Sequence, residues 1–460
     1  MGVRFVKIKS LFLNNQEYLL YAFIFLLPLQ TRWMAKLGEL NGGYWEYGTI
    51  SLYGTDILIL GLLLLWFGWK FFGGQMFPQY CGIKFQMSNQ TPMSNDQRNT
   101  QYIWLTVGLL ELFIFISVFF APDKKLALYG YGRFLLGVGL FFLLTQVELN
   151  KIKLYWSIVA AGVIQSCLAI QQFLTQTVIS NKWLGMAAQK AQDLGVSVVE
   201  AGDERWLRAY GSLPHPNILG GFLAIILLVN IILYFNLRQE KKYQIGLLLS
   251  LTFFAINFIG LLLTFSRTAW LGFAAGFIVI LLNCSIVSRS KEVLFNISKF
   301  IFIIVAIGSL FFYFFRGPIL GRLNVNSRLE NKSIAERANY NKEARQIIRK
   351  HWLFGTGIKN YGLAVYNEID NSQPAYAYQP VHNVFLLVWA EIGIAGLICF
   401  FVFLFFCFLA LWRRRSFENL ALLISLAVMM CFDHWFWSLA AGGMMMWFVI
   451  SLSLKDFEIV

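Results

Sequence analysis

The sequence predicts an all-α polytopic membrane protein of about twelve transmembrane helices, and three observations predict it. Of its 460 residues, 58% are hydrophobic and only 13% charged, where a soluble domain carries about 25% charged residues. Apolar runs long enough to cross a bilayer recur along the whole chain. The connections between those runs alternate in basic content, as membrane topology requires.

The apolar runs fall at 17–33, 54–73, 101–120, 127–146, 152–176, 216–236, 243–264, 267–286, 297–315, 382–411, 417–434 and 437–455. In lipid only a helix satisfies its own backbone polar groups, so each run is expected to be helical. The run 382–411 is longer than a bilayer needs, which predicts tilt or projection beyond the membrane. Residues 1–30 have the layout of a secretory signal, with Arg4, Lys7 and Lys9 ahead of the apolar stretch from Tyr18 to Leu29. No small-residue cleavage pattern follows, so an uncleaved first helix is expected.

With the N-terminus in the cytoplasm, the inside segments hold eighteen Lys or Arg and the short outside loops about nine. Arg413, Arg414 and Arg415 on one side and the sparse outer hairpins on the other fit that orientation, with both termini cytoplasmic. The chain then divides into residues 1–315 with nine helices, a large outer loop at 316–381, and residues 382–460 with the last three helices. Segment 74–100 is rich in Gln and Asn and reads as a flexible cytoplasmic connector. The loop 316–381 holds ten Lys or Arg against five Asp or Glu. Within it, Leu329, Ile334, Ala338, Ala344, Ile347 and Ile348 recur at helical spacing, which predicts an amphipathic helix over 327–352. Gly355, Gly357 and Gly362 end it.

The formal net charge of +14 would point to nucleic acid in a soluble protein. Here much of it sets topology, and no nucleic-acid partner is expected. The six cysteines show no CxxC spacing and read as small apolar filler without a structural disulfide.

Ionisable groups at membrane depth are costly and are therefore functional candidates. Arg133 lies near the outer start of the fourth run. Arg267 opens a helix in TFSRTAWLG, where free N–H groups and an arginine together make an anion site. Arg208, His215 and Asn217 share the stretch LRAYGSLPHPNILGG. His382 and Asn383 open the tenth run, and histidine suits general base work near neutral pH. Glu391, inside that run, requires a polar partner. Asp433 and His434 sit between the last two runs, where cap or interfacial roles compete with chemistry. All these residues but Glu391 fall at one membrane face, together with the basic loop. That convergence predicts a site for a doubly charged, phosphate-bearing substrate at the outer leaflet. No zinc spacing and no DxD pair is present, so arginines rather than a metal are expected to neutralise charge.

Four segments, RAYGSLPHPNILGGFLA, LLLTFSRTAWLGFAAG, HWLFGTGIKNYG and HNVFLLVWAEIGIAGLICF, resemble the O-antigen ligase family. These are Wzy-C-type proteins that also include polysaccharide polymerases and protein O-oligosaccharyltransferases. The resemblance covers residues 208–400 in family-like order, and the layout extends it to most of the chain. It implies a GT-C-like membrane fold with a large helical periplasmic loop, in the bacterial inner membrane. It implies a metal-independent, cofactor-free, inverting glycosyltransferase. The donor would be an undecaprenyl-pyrophosphate-linked glycan, and the acceptor a glycan, lipid A-core or protein hydroxyl. Carried over by motif, Arg267 would bind the pyrophosphate with help from Arg208, and His382 would deprotonate or orient the acceptor. Arg337 in the loop helix, Arg133, Asn383 and His215 are the further substrate-binding candidates. A lipid or glycan transporter is the rival class, but its usual inverted repeats and broken midplane helices are not evident in the sequence. A non-catalytic scaffold, or a peptidoglycan polymerase of the shape-and-division type, is the other rival. Glu368 and Asp370 are the only candidates for the loop carboxylate that such a polymerase would need.

Overall fold

The computed structural model describes residues 16–72, 95–201, 204–240, 243–288, 290–323 and 328–455. Arg4, Lys7, Lys9, Cys81, Lys84, Lys241, Lys242 and Arg289, and most of the connector at 74–100, lie outside the described residues. The helices in chain order are α1 (Gln16–Leu26), α2 (Gly54–Phe72), α3 (Asn95–Phe120), α4 (Lys124–Gln146), α5 (Lys151–Thr175), α6 (Pro216–Gln239), α7 (Gln244–Leu263) and α8 (Arg267–Leu282). They continue with α9 (Lys291–Leu323), α10 (Arg328–His351), α11 (Tyr361–Glu368), α12 (Val384–Arg413), α13 (Phe417–Phe432), α14 (Trp435–Ser438) and α15 (Ala440–Leu454). Among the described residues, nine helices are long and apolar enough to cross a membrane. Three shorter apolar helices, α1, α13 and α15, correspond to the other expected runs.

The starts of these helices follow from local chemistry. Asp123, Asn150, Ser266 and Asn383 each accept a backbone N–H of the first turn through the side chain, relieving donors that a helix start leaves unpaired. Pro216 stands at the first position of α6, where its missing N–H costs nothing. α6 is the central post. In its most apolar stretch 94% of residues are buried, against 17–50% for the other long helices. It packs against α5, α7, α8 and α13.

Three expectations are corrected. The first run, expected over 17–33, is helical only to Leu26. Pro28 follows, and the chain then pairs strand Arg32–Lys36 with Ile50–Tyr53 in an antiparallel hairpin. The ninth run continues past 315 to Leu323, through a kink at Phe315. The long run of α12 is not one continuous helix: it is broken at Gly393, whose φ is +75°. The break is filled by the chain's own GTG loop. Thr356 N donates to Ala390 O, Gly357 N to Glu391 O, and Ile394 N to Trp352 O, all at 2.9 Å. A Cβ at Gly393 would lie 2.0 Å from the Leu353 carbonyl, so only glycine fits. The helix in the large loop is α10, within a residue of each expected end. It packs Ala344, Ile347 and Ile348 against α11 and the start of α12.

Candidate active site

The turn Thr264–Arg267 joins α7 to α8 and is held by arginines. Phe265 has a φ of +47°, uncommon for a residue with a side chain. The carbonyls that this turn exposes are taken by cations. Arg208 Nε donates to Thr264 O at 2.8 Å, and Arg322 reaches Phe265 O. Arg267 starts α8, where its Nη1 donates to Arg322 O at 2.9 Å and its Nη2 pairs with Glu330 at 2.7 Å. Arg322 pairs with the other oxygen of the same carboxylate. Glu330 is 2% exposed, whereas the Arg267 side chain is 36% exposed. Two arginines thus grip one buried carboxylate, with an open side at Arg267.

Arg208 is buried, and burial together with the nearby Arg322 charge pushes its pKa down. A cation in that state is short of anionic partners. Its Nη2 donates to Asn217 Oδ1 at 2.7 Å, and Asn217 Nδ2 donates to Asp433 Oδ2 at 2.9 Å. Asp433 Oδ1 accepts the backbone N–H of His434 at 2.9 Å. A continuous polar path therefore leads from the arginine cluster to a histidine cluster.

That cluster is His382, His434 and Asp433, whose ligand-type atoms lie within 4.8 Å of one another. The rings of His382 and His434 meet edge to face at 4.8 Å. Tyr340 of α10 stacks on His382, its ring 5.6 Å away and nearly parallel. His434 Nδ1 shares a hydrogen with Ser438 Oγ at 2.7 Å. His382 Nδ1 is buried and has no hydrogen-bond partner. Burial pulls the His382 pKa below its usual value; Asp433 and Glu336 oppose that and Arg337 adds to it. His434 falls to about 3 for the same first reason, with His382 contributing. Burial acts to raise Asp433, but the three facing histidines and the His434 N–H outweigh it and hold its pKa low. At neutral pH the site therefore holds two neutral imidazoles beside one carboxylate.

The same three side chains have the donor types of a divalent-cation site. Both Asp433 oxygens are already hydrogen-bonded, and Arg337 contributes positive potential at both imidazoles. Neither fact suits a cation.

The other expected residues are placed as follows. Arg337 is half-buried on α10 and acts on the histidines through charge; no described carboxylate lies within ion-pair distance of it. His215 caps α6, with Nδ1 accepting from Asn217 N at 3.1 Å and Nε2 sharing a hydrogen with Ser197 Oγ at 3.0 Å. Both its ring nitrogens are engaged, and burial lowers its pKa to about 3. Asn383 caps α12 and donates to Cys431 O at 2.9 Å. Arg133 pairs instead with Asp56 of α2, over the Tyr53 ring. Glu391 receives the Trp437 indole N–H at 2.8 Å, the polar partner its position required. Arg322, Glu330 and Tyr340 were not among the sequence candidates. Glu330 carried a signal: an acidic residue at the head of a basic amphipathic helix.

No curated protein matches the chain. Residues 252–401 match the family model described as O-antigen ligase, a stretch that contains Arg267, Arg322, Glu330, Arg337 and His382.

Proposed function

We propose that the protein transfers a glycan from an undecaprenyl-pyrophosphate carrier to an acceptor hydroxyl at the outer face of the bacterial inner membrane, in the manner of an O-antigen ligase. The observation that carries this reading is the path Arg208–Asn217–Asp433, which sets a phosphate-ready arginine cluster beside a neutral histidine base. In this reading both chain ends and the connector at 74–100 are cytoplasmic, and the loop 316–381 covers the site from outside.

The donor pyrophosphate takes the place of the Glu330 carboxylate between Arg267 and Arg322, with Arg208 beneath. The acceptor hydroxyl lies against the His382 imidazole, whose buried Nδ1 has no hydrogen-bond partner. The acceptor oxygen bonds to the anomeric carbon as the bond from that carbon to the phosphate oxygen breaks. The hydroxyl proton passes to His382, and undecaprenyl pyrophosphate leaves with the electron pair. A single displacement of this kind inverts the anomeric centre. Fixed arginines aimed at the leaving phosphate supply several kcal/mol. The base supplies about 10²–10⁴-fold. Asp433 stabilises the imidazolium that forms.

A polymerase and a protein O-oligosaccharyltransferase would run the same chemistry on another acceptor. The break in α12 bears on the transporter class. In transporters an unwound segment offers free backbone to the cargo, but here the GTG loop occupies the freed groups. The deciding experiment is reconstitution with a lipid-linked glycan and competing acceptors. A single shift of lipid A-core or protein supports ligation, and a ladder of lengthening glycan supports polymerisation. No transfer to any acceptor would remove the proposal.

A further inference from the structure

One cleft stands beyond the arginine cluster and takes no part in the steps above. It is partly open to solvent and lies between α4, α15 and the hairpin after α1. Its wall carries Arg32, Arg133 and Lys359 together with the rings of Tyr47, Tyr129 and Trp437. We propose that this cleft is a subsite for a neutral sugar residue of one of the two glycans, adjoining the bond that is made. The proposal rests on the glycan-transfer reading and names the chemistry of a second contact within it.

Charge balance decides the ligand class. Arg32 is forked onto Glu46, Arg133 is paired with Asp56, and Lys359 faces Glu391. Three cations against three carboxylates leave little net field for a phosphate or a uronate. Paired planar groups still offer directed donors and acceptors to vicinal hydroxyls. Aromatic faces accept the C–H side of a pyranose ring, which is why a polar and aromatic wall suits a neutral sugar.

Two further facts point to a ligand. The Arg133 side chain is 12% exposed, and its Nε has no hydrogen-bond partner, nor has Asp56 Oδ1. Arg133 stands on the cleft wall, and a buried donor left unpaired is costly, so a ligand hydroxyl that reaches it would be held. Lys359 holds a φ of +63°, a strained conformation for a side-chain residue, while its Nζ donates to Ser438 O at 3.1 Å in the cleft wall. Such strain persists where surrounding structure imposes it.

The cleft also meets the histidines. The Tyr47 ring packs 5.8 Å from His434, and Ser438, another wall residue, shares the hydrogen of His434 Nδ1. The cleft wall thus touches His434, whose ring meets that of His382 at 4.8 Å.

The test is direct binding to the purified full chain in nanodiscs, using a panel of mono- to trisaccharides of neutral hexoses and N-acetylhexosamines. The paired substitution Arg133→Gln with Asp56→Asn removes both charges without orphaning either. Saturable binding to the wild type, weakened about tenfold or more in the pair with an unchanged melting temperature, is the expected result. In the transfer assay, a raised KM for the acceptor assigns the subsite to the acceptor sugar, and a raised KM for the donor assigns it to the donor sugar. If the pair fails to fold, Arg32→Gln with Glu46→Gln repeats the test at the exposed rim. Sugar binding without any glycan transfer would remove the catalytic reading and leave the subsite standing. No binding by any member of the panel, or unchanged binding and KM values in a folded variant, would overturn it.

Discussion

Replacing Asp433 with asparagine isolates the electrostatic half of the proposed chemistry. The carboxylate and the two imidazoles have their functional atoms within 4.8 Å of one another. At that separation and an effective dielectric near 20, a carboxylate and an imidazolium attract by about 3.5 kcal/mol. The neutral imidazole of the resting enzyme gains almost none of this, so the interaction grows as the proton arrives and lowers the barrier. Its loss is worth two to three orders of magnitude in rate at most, by roughly 1.4 kcal/mol per decade. The charge is shared with Asn217 and the His434 N–H, which brings the expected loss down to between about tenfold and a few hundredfold. Asp433 also raises the His382 pKa, against burial and Arg337, which lower it. Without the carboxylate that pKa falls further, so the base stays unprotonated to lower pH. The acid limb of the pH–rate profile must therefore move to lower pH even as the maximum rate drops. Single-turnover transfer from a lipid-linked glycan, measured across pH in nanodiscs, reads both effects. A rate within about threefold of wild type, or an acid limb moved upward, would refute the reasoning.

Three other outcomes follow from the same contacts. Arg337→Gln removes a charge that lowers the His382 pKa, so the acid limb is expected to move to higher pH, the opposite of Asp433→Asn. Glu330→Gln leaves Arg267 and Arg322 without their shared carboxylate; thermal melting should show a loss of about 3 kcal/mol, while affinity for inorganic pyrophosphate rises, and unchanged affinity would argue against displacement of Glu330. Treatment with EDTA followed by desalting should leave transfer unchanged, and recovery only on adding a divalent cation would make His382, His434 and Asp433 a metal site.

Much of the bundle was legible because lipid allows few backbone solutions. Apolar runs mark helices directly, and α2, α4, α5, α7 and α10 begin and end within about three residues of the expected positions. The exceptions arise where short-range chemistry competes with hydropathy. Pro28 and the hairpin that follows cut the first run short, and Gly393 breaks α12 to admit a loop whose own glycines looked like terminators. The candidate site was legible in part for the same reason. Arg267 and His382 stand at or just before the starts of α8 and α12, and Arg208 follows a strand eight residues ahead of α6. Pairing between distant segments was not legible. Nothing local in the sequence says that Glu330 meets Arg267 across 63 residues, or that Asn217 reaches Asp433 across 216. Asp433 and His434 looked like a loop cap until α13 placed them against His382. Arg133, grouped with the other arginines by its depth alone, is drawn to a different wall by Asp56.

The most direct measurement is single-turnover transfer by the purified protein in nanodiscs, supplied with an undecaprenyl-pyrophosphate-linked glycan and an acceptor, comparing wild type with His382→Ala and Arg267→Ala. The wild type is expected to release undecaprenyl pyrophosphate in step with a product of inverted anomeric configuration. Both variants should fold, with His382→Ala binding donor but not transferring it and Arg267→Ala losing donor affinity as well. Near-normal transfer by either folded variant, or retention of configuration in the wild-type product, would contradict it.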